Sequence, residues 1–214
     1  MNDTLSRSPA PAPHFRLYLA SHSPRRRELL TQIGVRFDSL VFRGPPREDS
    51  EIDELPLMSE TPTDYVERLA KAKALHGLSL VEQRKMPAQP VLAADTAIEF
   101  DGKIVGKPSN AASATEILKR FSGRSHRVLT AVTLADETRV ESALSVSEVV
   151  FGVLSEEEIR RYVESGDPMD KAGAYGIQGY AALFVERLSG SHSGVMGLPI
   201  FETGRLLKRF GFFP

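Results

Sequence analysis

Short, wholly apolar runs alternate along the chain with stretches in which apolar residues recur every three or four positions. Leu17-Tyr18-Leu19-Ala20 predicts a buried strand. Ser23-Pro24 then supplies an N-cap and a proline for the first helical position, so Arg25 to Ile33 reads as helix closed by Gly34. Val35 to Phe42 predicts a second strand, and the turn-rich, acidic stretch 43–61 a long loop, either functional or a flexible link. Thr61-Pro62-Thr63-Asp64 opens a helix with Tyr65, Val66, Leu69, Ala72 and Leu75 at helical spacing, fading near Gly77 to Leu80. Pro90 to Ala94 predicts a strand ending on Asp95-Thr96, and Asp101-Gly102 a primed two-residue turn between Ala97–Phe100 and Lys103–Val105. Ser109 to Phe121 reads as helix, then His126–Ala135 and Arg139–Leu154 as long antiparallel strands. Ser155-Glu156-Glu157-Glu158 is a capping box for a helix closed by Gly166. Tyr180 to Leu188 predicts a strand, and Gly197-Leu198-Pro199 opens a last helix that ends before Gly211. Crossovers and hairpins together predict a mixed α/β, or α+β, sheet protein.

Composition narrows the partners. Among 214 residues, 27 Lys and Arg offset 28 Asp and Glu, for a formal net charge of −1, which argues against coating nucleic acid or an anionic membrane. With 41% hydrophobic and 26% charged residues the chain has the material for a real core. The absence of cysteine removes disulfides, thiolate nucleophiles and iron–sulfur clusters. No apolar run approaches the roughly 18 residues of a membrane span. Residues 1–14, with their Ser-Pro-Ala-Pro-Ala-Pro run, read as a disordered tail rather than a signal peptide, ahead of a single domain at 15–214. The cytoplasm is the expected compartment.

Four clusters carry candidate chemistry. Ser21-His22-Ser23-Pro24-Arg25-Arg26-Arg27 places hydroxyls and arginines at a helix N-terminus, a phosphate-binding arrangement or simply a capped helix with solvated arginines. Asp95-Thr96 follows an apolar strand, where α/β sheets place ligand chemistry, although a turn aspartate has the same signature. Gly106-Lys107-Pro108 is a constrained loop but not a Walker loop, and Lys107 also suits a plain surface position, as do Lys71 and Lys73. Asp170 to Tyr180 combines Gly173, Gly176 and Gly179 with Gln178, whose amide suits the edge of a base, or forms a tight helix–strand loop. His22, His126 and His192 show no metal-ligand spacing and are left out of the candidate site.

Taken in order, these stretches resemble the Maf family of nucleoside triphosphate pyrophosphatases. The resemblance rests on Leu19 to Leu30, Arg68 to Ala74, Ala93 to Thr96, Gly106 to Pro108, Phe121 to His126, Lys171 to Gly179 and Gly197 to Pro199. It implies a two-lobed, Maf/ITPase-like fold around a long mixed twisted sheet, with the active site in the cleft between lobes. It also implies hydrolysis of a nucleoside triphosphate to the monophosphate and pyrophosphate with Mg²⁺ or Mn²⁺. Asp95 matches the family's catalytic aspartate, described as a proton acceptor. Arg25, Thr96 and Gln178 match the subgroup that prefers dTTP and UTP, or modified pyrimidine analogues in a house-cleaning role. The family's acidic residue or pair corresponds to Asp53 and Glu54, across a loop longer than usual, as metal ligands beside Asp95. A homodimer follows by the same analogy.

The chemistry of the residues agrees with that resemblance. A triphosphate carries about four negative charges, so cations and a divalent metal supply most of the stabilisation. Ser21, Arg26, Lys73, Lys107 and Lys171 are the phosphate-binding candidates. A free aspartate has a pKa near 4 and is a weak base at neutral pH, so metal-activated water is the easier route. The rival reading is a non-catalytic nucleotide-binding regulator of septum formation.

Overall fold

The computed structural model describes residues 15–42 and 52–212. The expected tail at 1–14 and the 43–51 part of the long loop lie outside them. One seven-stranded mixed sheet has the order β2-β1-β3-β5-β6-β7, with β4 paired to β3 alone. Its strands are β1 (Arg16–Leu19), β2 (Arg36–Ser39), β3 (Val91–Phe100), β4 (Lys103–Val105), β5 (Ser125–Ala135), β6 (Val140–Phe151) and β7 (Val185–Ser189). The helices are α1 (Pro24–Gln32), α2 (Pro62–Gln83), α3 (Ala111–Phe121), α4 (Glu156–Glu164), α5 (His192–Val195) and α6 (Ile200–Arg209). Among the described residues, no helix is long and apolar enough to cross a membrane.

The end signals work as read. Ser23 and Thr61 accept N–H bonds from Arg26 and Asp64 with proline following each, and Ser155 with Glu158 forms the reciprocal capping box. Asp101 and Gly102 take φ of 52° and 74°, the paired left-handed conformation of a type I′ turn.

Three expectations change. Asp95 does not end a strand: β3 runs unbroken from Val91 to Phe100, because β5 pairs with it from Val91 to Glu99. Tyr180–Phe184 is a 3₁₀ turn, and only Val185 onward joins the sheet. α2 does not fade at Gly77 but continues to Gln83, since Gly77 is the point of closest approach to the sheet. A Cβ there would lie 2.7 Å from Val91 Cγ1 and 3.2 Å from Leu40 Cδ2. Glycine's helix cost of about 1 kcal/mol is offset by packing that no larger residue permits.

β3 is buried on both faces. α2 covers one through Val66, Ala70 and Ala74, against Ala93, Ala97 and the β5 residues Leu129 and Ala131. The other face builds the larger core with Leu29 and Leu30 of α1, Leu118 and Phe121 of α3, and Leu206 and Leu207 of α6. One lobe holds β1 and β2 with α1 packed on β2, while α2 lies across β3 and β5. In the other, α3 and α4 pack on each other and on the 3₁₀ turns of 167–174, which reach β3, and the turn of 180–184 meets β7.

The sheet has a gap at one edge. β1 pairs with β3 only at Val91 and Leu92, and β4 only at Ile98 to Phe100. Among the described residues, no strand covers that edge of β3 at 93–97, and there the cleft between the lobes opens.

Replacing Gly77 by Ala is expected to lower stability by about 1 kcal/mol, the overpacking cost exceeding the helix-propensity gain. Val91→Ala in the same chain makes room for the new Cβ. Urea denaturation of the two single variants and the double variant checks this: additive effects would mean that the Gly77–Val91 approach does not set the register of α2.

Candidate active site

The buried stripe of α2 runs Val66, Leu69, Ala70, Ala74, Gly77, and Lys73 sits on it. Opposite it on β3, Asp95 points from the same face as Ala93 and Ala97. Lys73 Nζ donates to Asp95 Oδ1 at 2.6 Å and lies 2.6 Å from Glu54 Oε1. Burial pushes the Asp95 carboxyl above the ordinary aspartate value, while Lys73 and Arg26 pull it back down. Glu54 is held from outside: Arg68 clamps Glu60 with two hydrogen bonds of 2.6 and 2.8 Å and donates to the carbonyls of Asp53 and Leu55. Tyr65 donates its hydroxyl to the Glu54 carbonyl at 2.9 Å.

On the opposite face of β3, Thr96 meets Arg26 from α1. The Arg26 guanidinium donates to Gly197 O at 2.7 Å, Ser21 Oγ at 3.1 Å and Thr96 Oγ1 at 3.4 Å. Burial lowers its pKa, and Asp95 is the chief opposing influence. Side chains from both faces reach one cleft because the sheet edge between β1 and β4 is open.

The far wall is the loop 167–179. All three N–H groups of Lys171 have acceptors at hand, namely the carbonyl and Oδ1 of Asp167 and Oδ1 of Asp170. Gly176 lies so close that a Cβ would sit 2.9 Å from Lys171 Cε. Gly173, at φ 66°, donates its N–H to Gly106 O at 2.9 Å and so ties this loop to the one carrying Lys107. Behind it, Tyr175 OH is 2.7 Å from His126 Nε2, and the His126 ring stacks on Phe121 at 4.3 Å. Desolvation holds His126 neutral, with its pKa pushed down to about 4, and its Nδ1 has no partner.

The cleft encloses ≈590 Å³ and is lined by Ser21, Arg25, Arg26, Glu54, Lys73, Asp95, Thr96, Lys107, Lys171 and Gln178, among others. That volume suits a nucleotide-sized ligand. Among the described residues, no three His, Cys, Asp or Glu side chains form a metal-binding group. Asp95 and Glu54 nevertheless converge on one ammonium, a donor set of the kind that holds Mg²⁺ when substrate phosphates complete the shell.

The pattern of the Maf-like protein family matches residues 16–210. The chain belongs to the Maf family. This Maf chain is 62% identical over 199 residues to a dTTP/UTP pyrophosphatase of Dechloromonas aromatica (strain RCB), covering 93% of this chain and 99% of that one. It is 56% identical to a dTTP/UTP pyrophosphatase of Aromatoleum aromaticum, covering 92% of this chain and 96% of the relative. A dTTP/UTP pyrophosphatase of Ralstonia nicotianae is 55% identical, over 94% and 97% of the two chains.

Every candidate site residue of the Maf chain lines this cleft except Asp53. Its Oδ1 instead accepts the Leu55 N–H at 2.9 Å, closing a turn beside the cleft. Lys171 enters the cleft wall with its donors engaged by its own loop. Sequence reasoning missed His126, Tyr175, Thr130 and the Arg68–Glu60 clamp. Arg68 lies in a family stretch, and His126 shows neither metal-ligand spacing nor a Ser-His-Asp order, so the signal that places it, a buried aromatic partner on another element, is not local.

The buried neutral His126 has a consequence for stability. The unfolded histidine titrates near 6.5 and the folded one at about 4, so between those values the unfolded chain binds a proton that the folded chain does not. Its contribution is complete above pH 6.5 and falls by about 3 kcal/mol by pH 4. His126→Gln is expected to flatten the stability profile across that window. Equal slopes for the two proteins, in urea midpoints from pH 4 to 7, would clear His126.

Proposed function

We propose that this Maf protein hydrolyses dTTP and UTP, or modified pyrimidine analogues, to the nucleoside monophosphate and pyrophosphate, as a cytoplasmic enzyme. The observation that carries the reading is Asp95 held on the Lys73 ammonium, with Glu54 on the same ammonium, in a cleft ringed by cations. Water attacks the α-phosphorus, the bond to the bridging oxygen of the β-phosphate breaks, and pyrophosphate leaves with that electron pair. Asp95 orients the water and accepts its proton, and its upward-shifted carboxyl suits that role better than a free aspartate. Arg26 from α1, Ser21 from the loop before α1 and Lys107 from the loop before α3 face the phosphates, where developing charge is greatest. Lys73 holds Asp95 in place. Lys171 rigidifies the wall that carries Gln178, which with Arg25 and Thr96 selects the base. Asp95 and Glu54, with phosphate oxygens of the substrate, would hold a divalent cation, Mg²⁺ or Mn²⁺, which would supply charge neutralisation and a more acidic water. A non-catalytic regulator would have no use for a carboxylate fixed on an ammonium in the cleft, so that alternative is not favoured.

The test is a product assay with Mg²⁺ or Mn²⁺ and a panel of triphosphates, resolving monophosphate, diphosphate, pyrophosphate and phosphate. UMP and dTMP with pyrophosphate, lost on adding EDTA, are expected, and diphosphate with phosphate would refute the assignment. Asp95→Asn is expected to lower kcat about 100-fold or more. A variant within about threefold of wild type would remove Asp95 from the chemistry.

The two neighbouring acids are expected to separate. Glu54→Gln raises the Mg²⁺ concentration needed for half-maximal rate about tenfold or more, whereas Asp53→Asn leaves it within about twofold. Metal titrations of initial rate check this, and equal effects would return Asp53 to the site.

A further inference from the structure

Behind the cleft, a row of hydroxyls crosses one face of the sheet. Thr96 on β3 stands directly opposite Thr130 on β5, and Thr130 opposite Ser145 on β6. Thr130 is fully buried and does not line the cleft. Its Oγ1 donates to Gly194 O at 2.8 Å and lies 3.0 Å from Thr96 Oγ1.

Proton counting orients this chain. A carbonyl oxygen only accepts, so the single hydroxyl proton of Thr130 goes to Gly194 O. In the Thr96–Thr130 bond the donor is therefore Thr96. With its own proton committed inward and Arg26 donating to it from 3.4 Å, Thr96 has only lone pairs to offer the cleft.

We propose that Thr130 is a positioning residue for base selectivity. By accepting the Thr96 proton it makes Thr96 a pure acceptor toward the ligand, favouring a pyrimidine whose ring nitrogen carries a proton over one whose ring nitrogen accepts. Uracil and thymine carry an imide N–H on that edge; cytosine presents a lone pair there. An acceptor facing an acceptor leaves two polar groups unpaired in a partly desolvated site, which discriminates more strongly than a hydrophobic pocket does. The inference rests on the pyrophosphatase reading and assigns the atom that a residue outside the cleft controls.

The experiment compares kcat/KM for dTTP and dCTP in wild type, Thr130→Val and Thr130→Ser. Valine keeps the shape and frees the Thr96 proton to turn outward, so the dTTP-to-dCTP preference is expected to fall about tenfold. Serine restores the relay and is expected to restore the preference. Equal losses on both nucleotides, or a folded valine variant with unchanged preference, would overturn the proposal as merely structural packing. Wild type assayed with 3-methyl-dTTP, which lacks the donor, decides the matter should the valine variant fail to fold. Turnover equal to that of dTTP overturns the proposal, and a loss of about tenfold or more supports it. Wild type that cleaves no triphosphate at all sinks the pyrophosphatase reading instead, a result distinguishable from every outcome above.

Discussion

The structure turns on one ion pair between a helix and a strand that are otherwise apolar to each other. Lys73 interrupts the buried stripe of α2, and Asp95 interrupts the face of β3 on which that stripe lies. Either charge left unpaired would carry a desolvation cost of several kcal/mol, and each is met by the other, with Glu54 as a second partner of Lys73. Replacing both with apolar residues of matching shape would be neutral or favourable for stability by the same reasoning. The pair therefore makes sense as a device for holding a carboxylate in a fixed place. Its position fixes where α2 crosses the sheet, a few residues before the close contact of Gly77 with Val91.

A second constraint converts that fixed carboxylate into a site. In a fully paired sheet, Asp95 and Thr96 would serve opposite faces and never meet one ligand. β1 stops pairing after Leu92 and β4 starts at Ile98, so the strand edge between them is bare. One ligand can then touch α2's face through Asp95 and α1's face through Thr96 and Arg26. The loops that close this notch are tied together rather than left free: Gly173 to Gly106, Arg68 to the 53–60 turn, and Tyr175 to His126.

How much of this was legible follows from the range of each interaction. Signals that act within a few residues were plain: the Ser23, Thr61 and Ser155 caps, the Asp101-Gly102 turn and the apolar periods of β5 and β6. What depended on a distant partner was not. Strand β3 read as two pieces because Asp95-Thr96 resembles a break, and only β5, some thirty-five residues on, makes it continuous. Gly77 read as a helix end because its reason, Val91, lies on another element. The tail-like fragment Tyr180–Phe184 has strand-like composition but packs Phe184 into the aromatic cluster as a turn. Site membership was read from the family order of motifs, which identifies Asp95 and Arg26 but not which of two adjacent acids faces the cleft. In the fold the Leu55 N–H takes the Asp53 carboxylate into a turn, while Glu54 reaches Lys73.

The cations of the cleft divide by what they already hold, and the division bears on how the site works. Lys73 is committed to Asp95 and Glu54, Lys171 to Asp167 and Asp170, and three of the Arg26 donors to Ser21, Thr96 and Gly197. These groups are preorganised: they contribute an oriented field with little reorganisation when charge moves to the leaving group. Arg25 and Lys107, also in the cleft wall, make no hydrogen bond or ion pair with the other described residues within the same distance limits. Their charge is therefore available to an anionic ligand without first breaking an internal bond, Lys107 on the phosphate side of the proposed site and Arg25 on the base side. A site with all five cations free would hold its pyrophosphate product as tightly as its substrate. On the proposed reading, committing Lys73, Lys171 and Arg26 to internal acceptors would weaken their hold on the ground state and keep their oriented field for the transition state, a distribution that favours turnover over retention.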